Sequence, residues 1–320
     1  MEGTIAQRKV RGRKDIFCDP STMAEHGGHN GEVFSVVFNK MPFAPGHSLI
    51  ATVRHTNGLL DLTPHEAAEL LSTLRKVLPY VLNKYNGGDP AYDIKIRSGD
   101  ASGWTISHFH VHVIPRHRAA NSGPHPYELI YEPWLDTPDR PVVAGDLRTH
   151  TKGLRRGAEL NGDGKHALNG FADRRPAPIP SFLYPNVFFE SQHFIALHHP
   201  EAVLPGQTLL VPKSGVRDFL ALNDAELADL MLAYPKVMKR LLREYSEGSR
   251  AYITSFQTGG YSHAPLEAFH INLIPRKEGD RYAENHDQMY ADIYERNGRH
   301  VDMLGREEIR RAVSELRRPE

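Results

Sequence analysis

The 320-residue chain lacks several features that define specialised classes of protein. Its single cysteine, Cys18, excludes an internal disulfide and any zinc site built from several cysteines. The 39 lysine and arginine residues balance 39 aspartate and glutamate residues, so the net charge does not indicate a nucleic-acid or membrane partner. No apolar run approaches the roughly twenty residues of a membrane span. We therefore expect a soluble, intracellular protein, and the single cysteine fits a reducing compartment such as the cytoplasm.

The N-terminal residues also lack the apolar segment of a secretory signal. Their basic side chains would suit a targeting peptide, but the stretch is short and contains two carboxylates, Glu2 and Asp15. We interpret residues 1–31 as an N-terminal extension with a disordered start.

The chain repeats itself at a constant offset of 160 residues, without a gap, over roughly eighty residues of each half. Identical pairs include Phe34 and Phe194, Glu66 and Glu226, Tyr85 and Tyr245, and Phe109-His110 and Phe269-His270. Identity at a constant phase indicates a duplication. The length is sufficient for two domains, each with its own core.

Three histidines alternate with apolar residues in the segment His108–Arg116. Alternate side chains of a strand share one face, so His108, His110 and His112 are expected on a single surface with the apolar residues packed behind it. Imidazole titrates close to neutral pH. A row of three can therefore divide the nucleophilic, proton-donating and orienting roles of a catalytic site.

The second copy of this segment has lost most of its histidines. It has Ala268, His270 and Asn272 at the corresponding positions, and Gln207 in place of His47. A lone imidazole without its partners is a weak catalyst. We expect a structural or substrate-shaping role for the second copy.

Each half has the pattern of a β-hairpin, a helix and a second β-hairpin. In the first half, Thr63, Pro64 and Glu66 form a capping-box pattern, and the apolar stripe that follows ends at Gly87-Gly88. The strands of this half are expected at 33–39, 48–53, 92–97 and 106–114.

The fold class predicted from this pattern is α+β, with two similar domains that each consist of an antiparallel sheet and a helix packed on one face. The predicted boundaries are an extension at 1–31, a complete domain at 32–117, an irregular connector at 118–180, a degenerate domain at 181–286 and a C-terminal helical tail at 287–320. The tail includes an amphipathic pattern at 307–316.

The triad and the residues upstream of it resemble the histidine triad (HIT) superfamily, in particular its diadenosine-polyphosphate hydrolase branch. The resemblance rests on the pattern His-φ-His-φ-His-φ-φ-Pro-Arg from His108 and on a turn, Asn39-x-x-Pro-x-x-Pro-Gly-His47, some sixty residues before it. It covers about residues 32–116 and, more faintly, 192–276. Both halves are therefore expected to be HIT-like domains.

The resemblance implies an enzyme that hydrolyses or transfers nucleotidyl groups at the α-phosphate of a phosphoanhydride, ester or phosphoramidate. By its place in the motif, His110 would be the nucleophile that becomes covalently nucleotidylated, and His108 would orient it. His112 would contact the phosphate and help to protonate the leaving group. His47 would be the fourth histidine, and Asn39 would lie near the ribose and phosphate. A neutral imidazole is a competent nucleophile near neutral pH, so no metal or cofactor is required.

Further substrate-binding candidates lie in the loop before the triad. Gly99, Ser102 and Gly103 are small enough for backbone amides to approach a phosphate. Thr105 offers a hydroxyl where the family commonly has Ser or Thr. Trp104 stands where the hydrolase branch usually has a phosphate-binding Gln, which bears on leaving-group contacts or substrate choice.

Nucleobase pockets in such folds are built from scattered apolar residues. Phe34, Phe38 and Leu49 are the candidates in this sequence. The pattern specifies neither the nucleobase nor the number of phosphates.

The resemblance also implies an assembly. Relatives usually form homodimers whose sheets join edge to edge, and two fused copies can satisfy the same edges within one chain. We expect an intramolecular pseudo-dimer, compatible with a monomer, whose partner is a small-molecule nucleotide.

Two alternatives remain open from the sequence. The three histidines could bind a metal, because His-x-His is a common ligand pair on strands, with Asp100 as the nearest carboxylate. The degenerate second half and Trp104 would also suit a non-catalytic nucleotide-binding or sensing protein.

Overall fold

The computed structural model describes residues 15–19, 21, 23, 27–39, 46–85, 91–115, 176–257, 266–283, 289 and 303–318. Most of the predicted connector at 118–180 lies outside the described residues, as do Gly87-Gly88 and Arg116.

A single antiparallel sheet runs through both halves of the chain. The strands of the first half are β1 (Gly27–Asn30), β2 (Phe34–Phe38), β3 (Ser48–Thr52), β4 (Tyr92–Ser98) and β5 (His110–Pro115). Those of the second half are β6 (Val187–Glu190), β7 (Phe194–His198), β8 (Thr208–Pro212), β9 (Ala251–Gln257) and β10 (His270–Arg276). Among the described residues they form one ten-stranded sheet in the order β1-β2-β3-β5-β4-β9-β10-β8-β7-β6.

The two outermost strands, β1 and β6, were not predicted. Each pairs with the following strand through an irregular register, between Gly27 and His29 in β1 and between Val187 and Phe189 in β6. The sequence of β1, Gly-Gly-His-Asn, has no β-branched or aromatic residue, so it carries no strand signal. Part of the predicted N-terminal extension is therefore an edge strand.

The described helices are α1 (Pro64–Tyr85), α2 (Asp224–Tyr245) and α3 (Arg306–Leu316). Helix α1 begins at the predicted capping box: Thr63 Oγ1 accepts a hydrogen bond from the Glu66 amide at 3.2 Å, and Glu66 Oε2 accepts one from the Thr63 amide at 2.8 Å. Helix α2 begins with the same box at Asn223. Helix α3 agrees with the predicted tail helix. In the part of the chain that the structure describes, no helix is long and apolar enough to cross a bilayer.

The main apolar core lies between the sheet and helices α1 and α2. Val36 and Ile50 project into it from the strands, and Leu74 and Val81 project from α1. Burial of each such side chain contributes about 1.5–3 kcal/mol relative to leaving it exposed. Strand β5 adds Val111 and Val113, and Phe109 lies just before it. Because strand residues alternate, this core fixes the histidines of β5 on the opposite face of the sheet, here called the histidine face.

The two halves meet where β4 pairs with β9. In this antiparallel pair Lys95 lies opposite Ser255, which is its own counterpart 160 residues later. The repeat is therefore related by a two-fold axis that passes between these two residues. The sheet continues across the axis, so the structure confirms the α+β fold and the intramolecular pseudo-dimer.

Two equivalent tyrosines cross this junction. The Tyr92 hydroxyl donates to Asp218 Oδ1 at 3.0 Å, and the Tyr252 hydroxyl accepts a hydrogen bond from the Leu60 amide at 3.3 Å. Burial raises the pKa of Asp218 to about 6. Each half thus supplies a tyrosine hydroxyl that bonds to a loop of the other.

Gly99 also belongs to the junction. Its backbone, at φ +77° and ψ 155°, lies in a region that is essentially restricted to glycine. A Cβ atom at this position would lie 2.8 Å from the Ala251 Cα of the second half. The junction therefore requires the absence of a side chain here.

Replacement of Gly99 by alanine is expected to lower the free energy of unfolding by about 2–5 kcal/mol, because strain and a clash across the junction add. The matched control is Gly248→Ala, where φ is +83° but a Cβ meets nothing within 4 Å. That change should cost only about 1–2 kcal/mol. Urea denaturation of both variants measures the difference, and equal losses would contradict the packing argument.

Candidate active site

The structure brings the four predicted histidines together. His110 and His112 project from β5 onto the histidine face, with ring centroids 5.0 Å apart. His47 Nε2 lies 3.0 Å from His112 Nδ1. His108 precedes the strand, which begins later than predicted, but its side chain is buried on the same side. The predicted convergence on one surface is present.

The ring of His110 has a defined tautomer. Its Nδ1 lies 2.7 Å from the carbonyl oxygen of His108. A carbonyl only accepts, so Nδ1 carries the proton and Nε2 carries the lone pair. Burial lowers the pKa of His110 to about 4. Near neutral pH, Nε2 is therefore an uncharged nitrogen with an available lone pair.

His108 is anchored through both ring nitrogens. Its Nε2 donates to the carbonyl oxygen of Thr52 at 2.7 Å, and its Nδ1 lies 2.9 Å from Asp15 Oδ2. Burial alone would raise the pKa of Asp15, but hydrogen bonds from His108 and Cys18 bring it below its usual range. The carboxylate therefore fixes the residue whose carbonyl orients His110.

His47 and His112 form a second pair beside His110. Burial, with the nearby charge of Lys95, lowers the pKa of His47 to about 3. Burial also lowers the pKa of His112 well below its ordinary value. Asn39 Nδ2 lies 3.3 Å from His47 Nε2. The pair is thus a neutral hydrogen-bonding unit that Asn39 contacts.

The segment Asp15–Cys18 packs on the histidines, which the sequence analysis did not foresee. The Phe17 ring centroid lies 5.4 Å from that of His108 and 5.3 Å from that of His110. The predicted disordered start is therefore wrong for these residues. The apolar pair Ile16-Phe17, within a polar stretch, was the available signal.

An apolar wall lies next to the histidines. It consists of the buried residues Phe17, Val37, Leu49 and Ala51. Leu49 pairs with His112 across β3 and β5, and Ala51 pairs with His110. The candidate Leu49 thus lies where an apolar pocket for a nucleobase would need it.

The other two pocket candidates lie on the wrong face. Phe34 and Phe38 belong to the core beneath the helices and are 3% and 5% exposed. Strand alternation directs them away from the histidine face, where Val37 lies instead. The prediction that they line a nucleobase pocket is therefore corrected.

The loop before the triad is mainly structural. Gly99 meets Ala251, as described above, and the buried Ser102 donates through Oγ to the Gly99 carbonyl at 2.7 Å. The Ser102 amide donates to the Gly99 carbonyl at 3.0 Å and the Gly103 amide to the Asp100 carbonyl at 3.1 Å, so these two amides, which were predicted to approach a phosphate, are engaged within the loop. Gly103 adopts a left-handed conformation, and its carbonyl accepts a hydrogen bond from Arg97 Nη1 at 3.1 Å.

Trp104 and Thr105 lie at the surface end of this loop. Trp104 is partly exposed, and its Nε1 donates to Asp100 Oδ1 at 3.0 Å. Thr105 is exposed. The indole is therefore tied to its own loop, and Asp100 is engaged there.

Two cations on β4 were also missed by the sequence analysis. Lys95, 6% exposed, lies opposite His112 in the β4–β5 pair, and its Nζ is 4.0 Å from Asp93 Oδ2. Arg97 follows on the same face. Beyond the effect of burial, the charges of Lys95 and Arg97 lower the pKa of His112. Charged residues at alternate positions of an apolar strand were the sequence signal.

One group of side chains could hold a metal ion. Asp15, Cys18, His55 and His108 place four donor atoms within 4.8 Å of one another. The His108 bond to Thr52 leaves Nδ1 for a metal, as in many zinc sites, and carboxylate, thiolate and imidazole donors suit tetrahedral zinc. Only His108 of the three alternating histidines belongs to this group. The metal-binding alternative from the sequence, in which all three histidines are ligands, is therefore not the arrangement seen in these four residues.

The second half keeps only part of this arrangement. His270 Nδ1 lies 2.9 Å from the Ala268 carbonyl, as in the first half. Its Nε2, however, lies 3.0 Å from Gln257 Oε1, and the ring is fully buried. His110 Nε2 has no hydrogen-bond partner among the described residues, and the position that corresponds to it in the second half is thus covered.

Comparison with known proteins places this site in a family. The HIT domain model matches residues 29–119 and 183–279, so the chain belongs to the HIT domain family and contains two such domains. It is 38% identical over 81 residues to a bis(5'-nucleosyl)-tetraphosphatase (asymmetrical) of Schizosaccharomyces pombe, which covers 25% of this chain and 43% of the relative. It is 28% identical over 120 residues to a bis(5'-adenosyl)-triphosphatase of Saccharomyces cerevisiae, which covers 37% of this chain and 55% of the relative. The chain spans about half the length of these curated relatives.

A solved uridylyltransferase structure shares the fold of almost the whole chain. It matches with a TM-score of 0.58 at 14% identity, over 99% of this chain and 92% of the other. The likeness supports the two-domain architecture.

The buried histidines predict a loss of stability in mild acid. His47, His110, His198 and His270 have folded-state pKa values of about 3 to 4 because of burial, against 6.5 for the free side chain. At pH values between the folded and the free pKa, the unfolded chain binds more protons than the folded chain. The free energy of unfolding should therefore fall as pH drops below 6.5. The expected fall is about 1.4 kcal/mol per pH unit for each histidine. Urea denaturation at pH 7.5 and 5.0 measures it, and His270→Asn should reduce the dependence. A flat profile would contradict the assignment.

The metal-capable group predicts binding of about one zinc ion per chain. Partial desolvation, together with the neighbouring Asp15 carboxylate, raises the pKa of the Cys18 thiol to about 11, so zinc must displace the thiol proton and affinity should rise with pH. Elemental analysis after dialysis against zinc measures the stoichiometry. Cys18→Ala and His55→Ala should each lower it, whereas the exposed His65→Ala should not. Equal zinc content in all four proteins would contradict the site.

Proposed function

We propose that this protein cleaves nucleotides at the α-phosphate through a covalent nucleotidyl intermediate on His110, with water as the final acceptor. The observation that supports this most directly is the Nδ1 bond of His110 to the His108 carbonyl. It leaves Nε2 with its lone pair, and burial keeps the ring neutral. An imidazole fixed in this way is a nucleophile ready at neutral pH.

The reaction proceeds in two displacements. The Nε2 lone pair of His110 forms a bond to the α-phosphorus, and the bond from phosphorus to the leaving group breaks with its electron pair on the departing atom. Water then attacks the same phosphorus, the N–P bond breaks, and the nucleotide is released while the water proton passes to solvent. Covalent catalysis divides one difficult hydrolysis into two easier steps.

The neighbouring histidines have distinct proposed roles. His108 orients the nucleophile through its carbonyl. His112, backed by His47 at 3.0 Å, donates a hydrogen bond to the phosphoryl group or to the departing atom. Asn39, beside His47, lies where it can reach the phosphate and ribose.

The nucleoside is proposed to lie on the apolar wall. Phe17 and Leu49 present flat and aliphatic surfaces beside the histidines. A base placed there would bring its α-phosphate over His110. The wall contains no described group that selects one base, so the proposal covers nucleosides in general.

The proposed partner is this small-molecule nucleotide alone. The balanced charge supports the lack of a nucleic-acid or membrane partner, and the single cysteine supports a cytoplasmic location. The internal two-fold supports function as a monomer, because the sheet edges that a homodimer would join are paired within one chain.

Substitution His110→Asn is expected to lower kcat by at least about a thousandfold while the fold is retained, because the nucleophile is lost. The matched control is His270→Asn, the same position in the second half, which should retain turnover. Hydrolysis of diadenosine polyphosphates and nucleotide phosphoramidates is the assay.

The intermediate supplies an independent readout. Brief incubation with an α-labelled nucleotide followed by alkaline quench should leave label on the wild-type protein that is lost in acid, and none on His110→Asn. Nucleotide binding with neither adduct nor turnover would support the alternative of a nucleotide-binding protein. Full activity of His110→Asn would overturn the proposal.

A further inference from the structure

Strand β4 places two cations beside the reactive histidines. Lys95 lies opposite His112 in the β4–β5 register, and the same register continued by one residue places Arg97 opposite His110. Ile94, which precedes Lys95, and Ile96, which lies between Lys95 and Arg97, belong to the core on the helix side of the sheet. Lys95 and Arg97 are therefore on the histidine face, and directly opposed strand residues have Cβ atoms about 4.5–5.5 Å apart.

The internal two-fold shows how far a side chain at the Arg97 position reaches. Its counterpart in the second half is Gln257, and Gln257 Oε1 lies 3.0 Å from His270 Nε2. His270 is the counterpart of His110. A longer side chain at the first-half position is thus able to reach a phosphoryl group on His110 Nε2. The bond from Arg97 Nη1 to the Gly103 carbonyl positions its guanidinium.

The two sides of the histidine face differ in chemistry. The apolar wall of β2 and β3 lies on one side of the histidines, and the cations of β4 lie on the other. Beyond β4, Ser255 of β9 lies opposite Lys95, and its buried hydroxyl has no hydrogen-bond partner among the described residues. A nucleoside on the wall would therefore point the rest of its substrate toward Lys95, Arg97 and Ser255.

We propose that Lys95 and Arg97, with Ser255 of the second half, bind the departing phosphates, so that the site prefers donors whose leaving group is a polyphosphate. The proposal rests on the proposed function of His110. As the Nε2–P bond forms and the P–O bond breaks, the electron pair stays on the bridging oxygen and negative charge grows on the departing phosphate. Fixed cations stabilise that charge. An amine leaving group instead takes up a proton and departs uncharged, so it gains little from them.

The test compares two donors of the same adenylyl group. Diadenosine tetraphosphate releases a polyphosphate, whereas adenosine 5'-phosphoramidate releases ammonia. Lys95→Met and Arg97→Gln should each lower kcat/KM on the tetraphosphate by about ten- to a hundredfold, and on the phosphoramidate by no more than about threefold. Lys95→Arg should restore most of the loss. Lys76→Met, an exposed lysine on α1, is the matched control and should change neither rate.

Activity on the phosphoramidate also reports folding, since a misfolded variant loses both reactions. If Lys95→Met and Arg97→Gln remain folded by urea denaturation and lose equal activity on the two donors, or lose none on either, the proposal is overturned.

A binding measurement separates this inference from the proposed function. In the His110→Asn protein, ATP should bind at least about tenfold more tightly than AMP. Adding Arg97→Gln to this protein should reduce the ratio of the AMP and ATP dissociation constants. Equal affinities would overturn the inference even if His110 is the nucleophile. If the wild-type protein shows neither turnover nor adduct but the preference for ATP over AMP is present, only the catalytic proposal is refuted.

Discussion

The bond between His110 Nδ1 and the His108 carbonyl is the interaction on which the site depends. It sets the tautomer of His110, and it makes the orientation of the His110 ring depend on where the His108 carbonyl lies. Residue 108 is in turn fixed by its ring contact with Thr52, while the next amide, that of Phe109, donates to the Thr56 carbonyl at 2.7 Å. The second half keeps the equivalent bond to Ala268 although it lacks the other histidines. The local backbone geometry therefore belongs to the fold, and the full set of histidines is present in only one half.

The alternation of strand residues separates the two functions of the sheet. One face packs on α1 and α2 and supplies stability, so it holds only apolar side chains from β5. The other face gathers the histidines, the apolar wall and the β4 cations within a few adjacent strands. Burial on that face keeps the imidazoles neutral, because a charged ring loses hydration there. The same burial that keeps the imidazoles neutral is the reason for the predicted loss of stability in mild acid.

Much of the architecture could be read from periodicity. The alternating histidines, the Thr63 capping box and the constant repeat offset each encode local geometry, and the offset anticipates a pseudo-dimer. The errors have physical causes. Strands β2 and β3 are buried on both faces, so their sequence does not show which side Phe34 and Phe38 occupy. The contacts of Asp15 and Phe17 join segments some ninety residues apart, and no local pattern records such a contact.

The pairing of Lys95 with Ser255 on the two-fold axis shows what fusion made available. In an assembly of two identical chains the axis would place each lysine against its own copy, and like charges directly opposed in a sheet repel. An uncharged residue opposite a buried lysine avoids that repulsion. In this single polypeptide the facing residue is Ser255, so Lys95 has no copy of its own charge opposite it, and its ammonium group lies instead beside the Asp93 carboxylate.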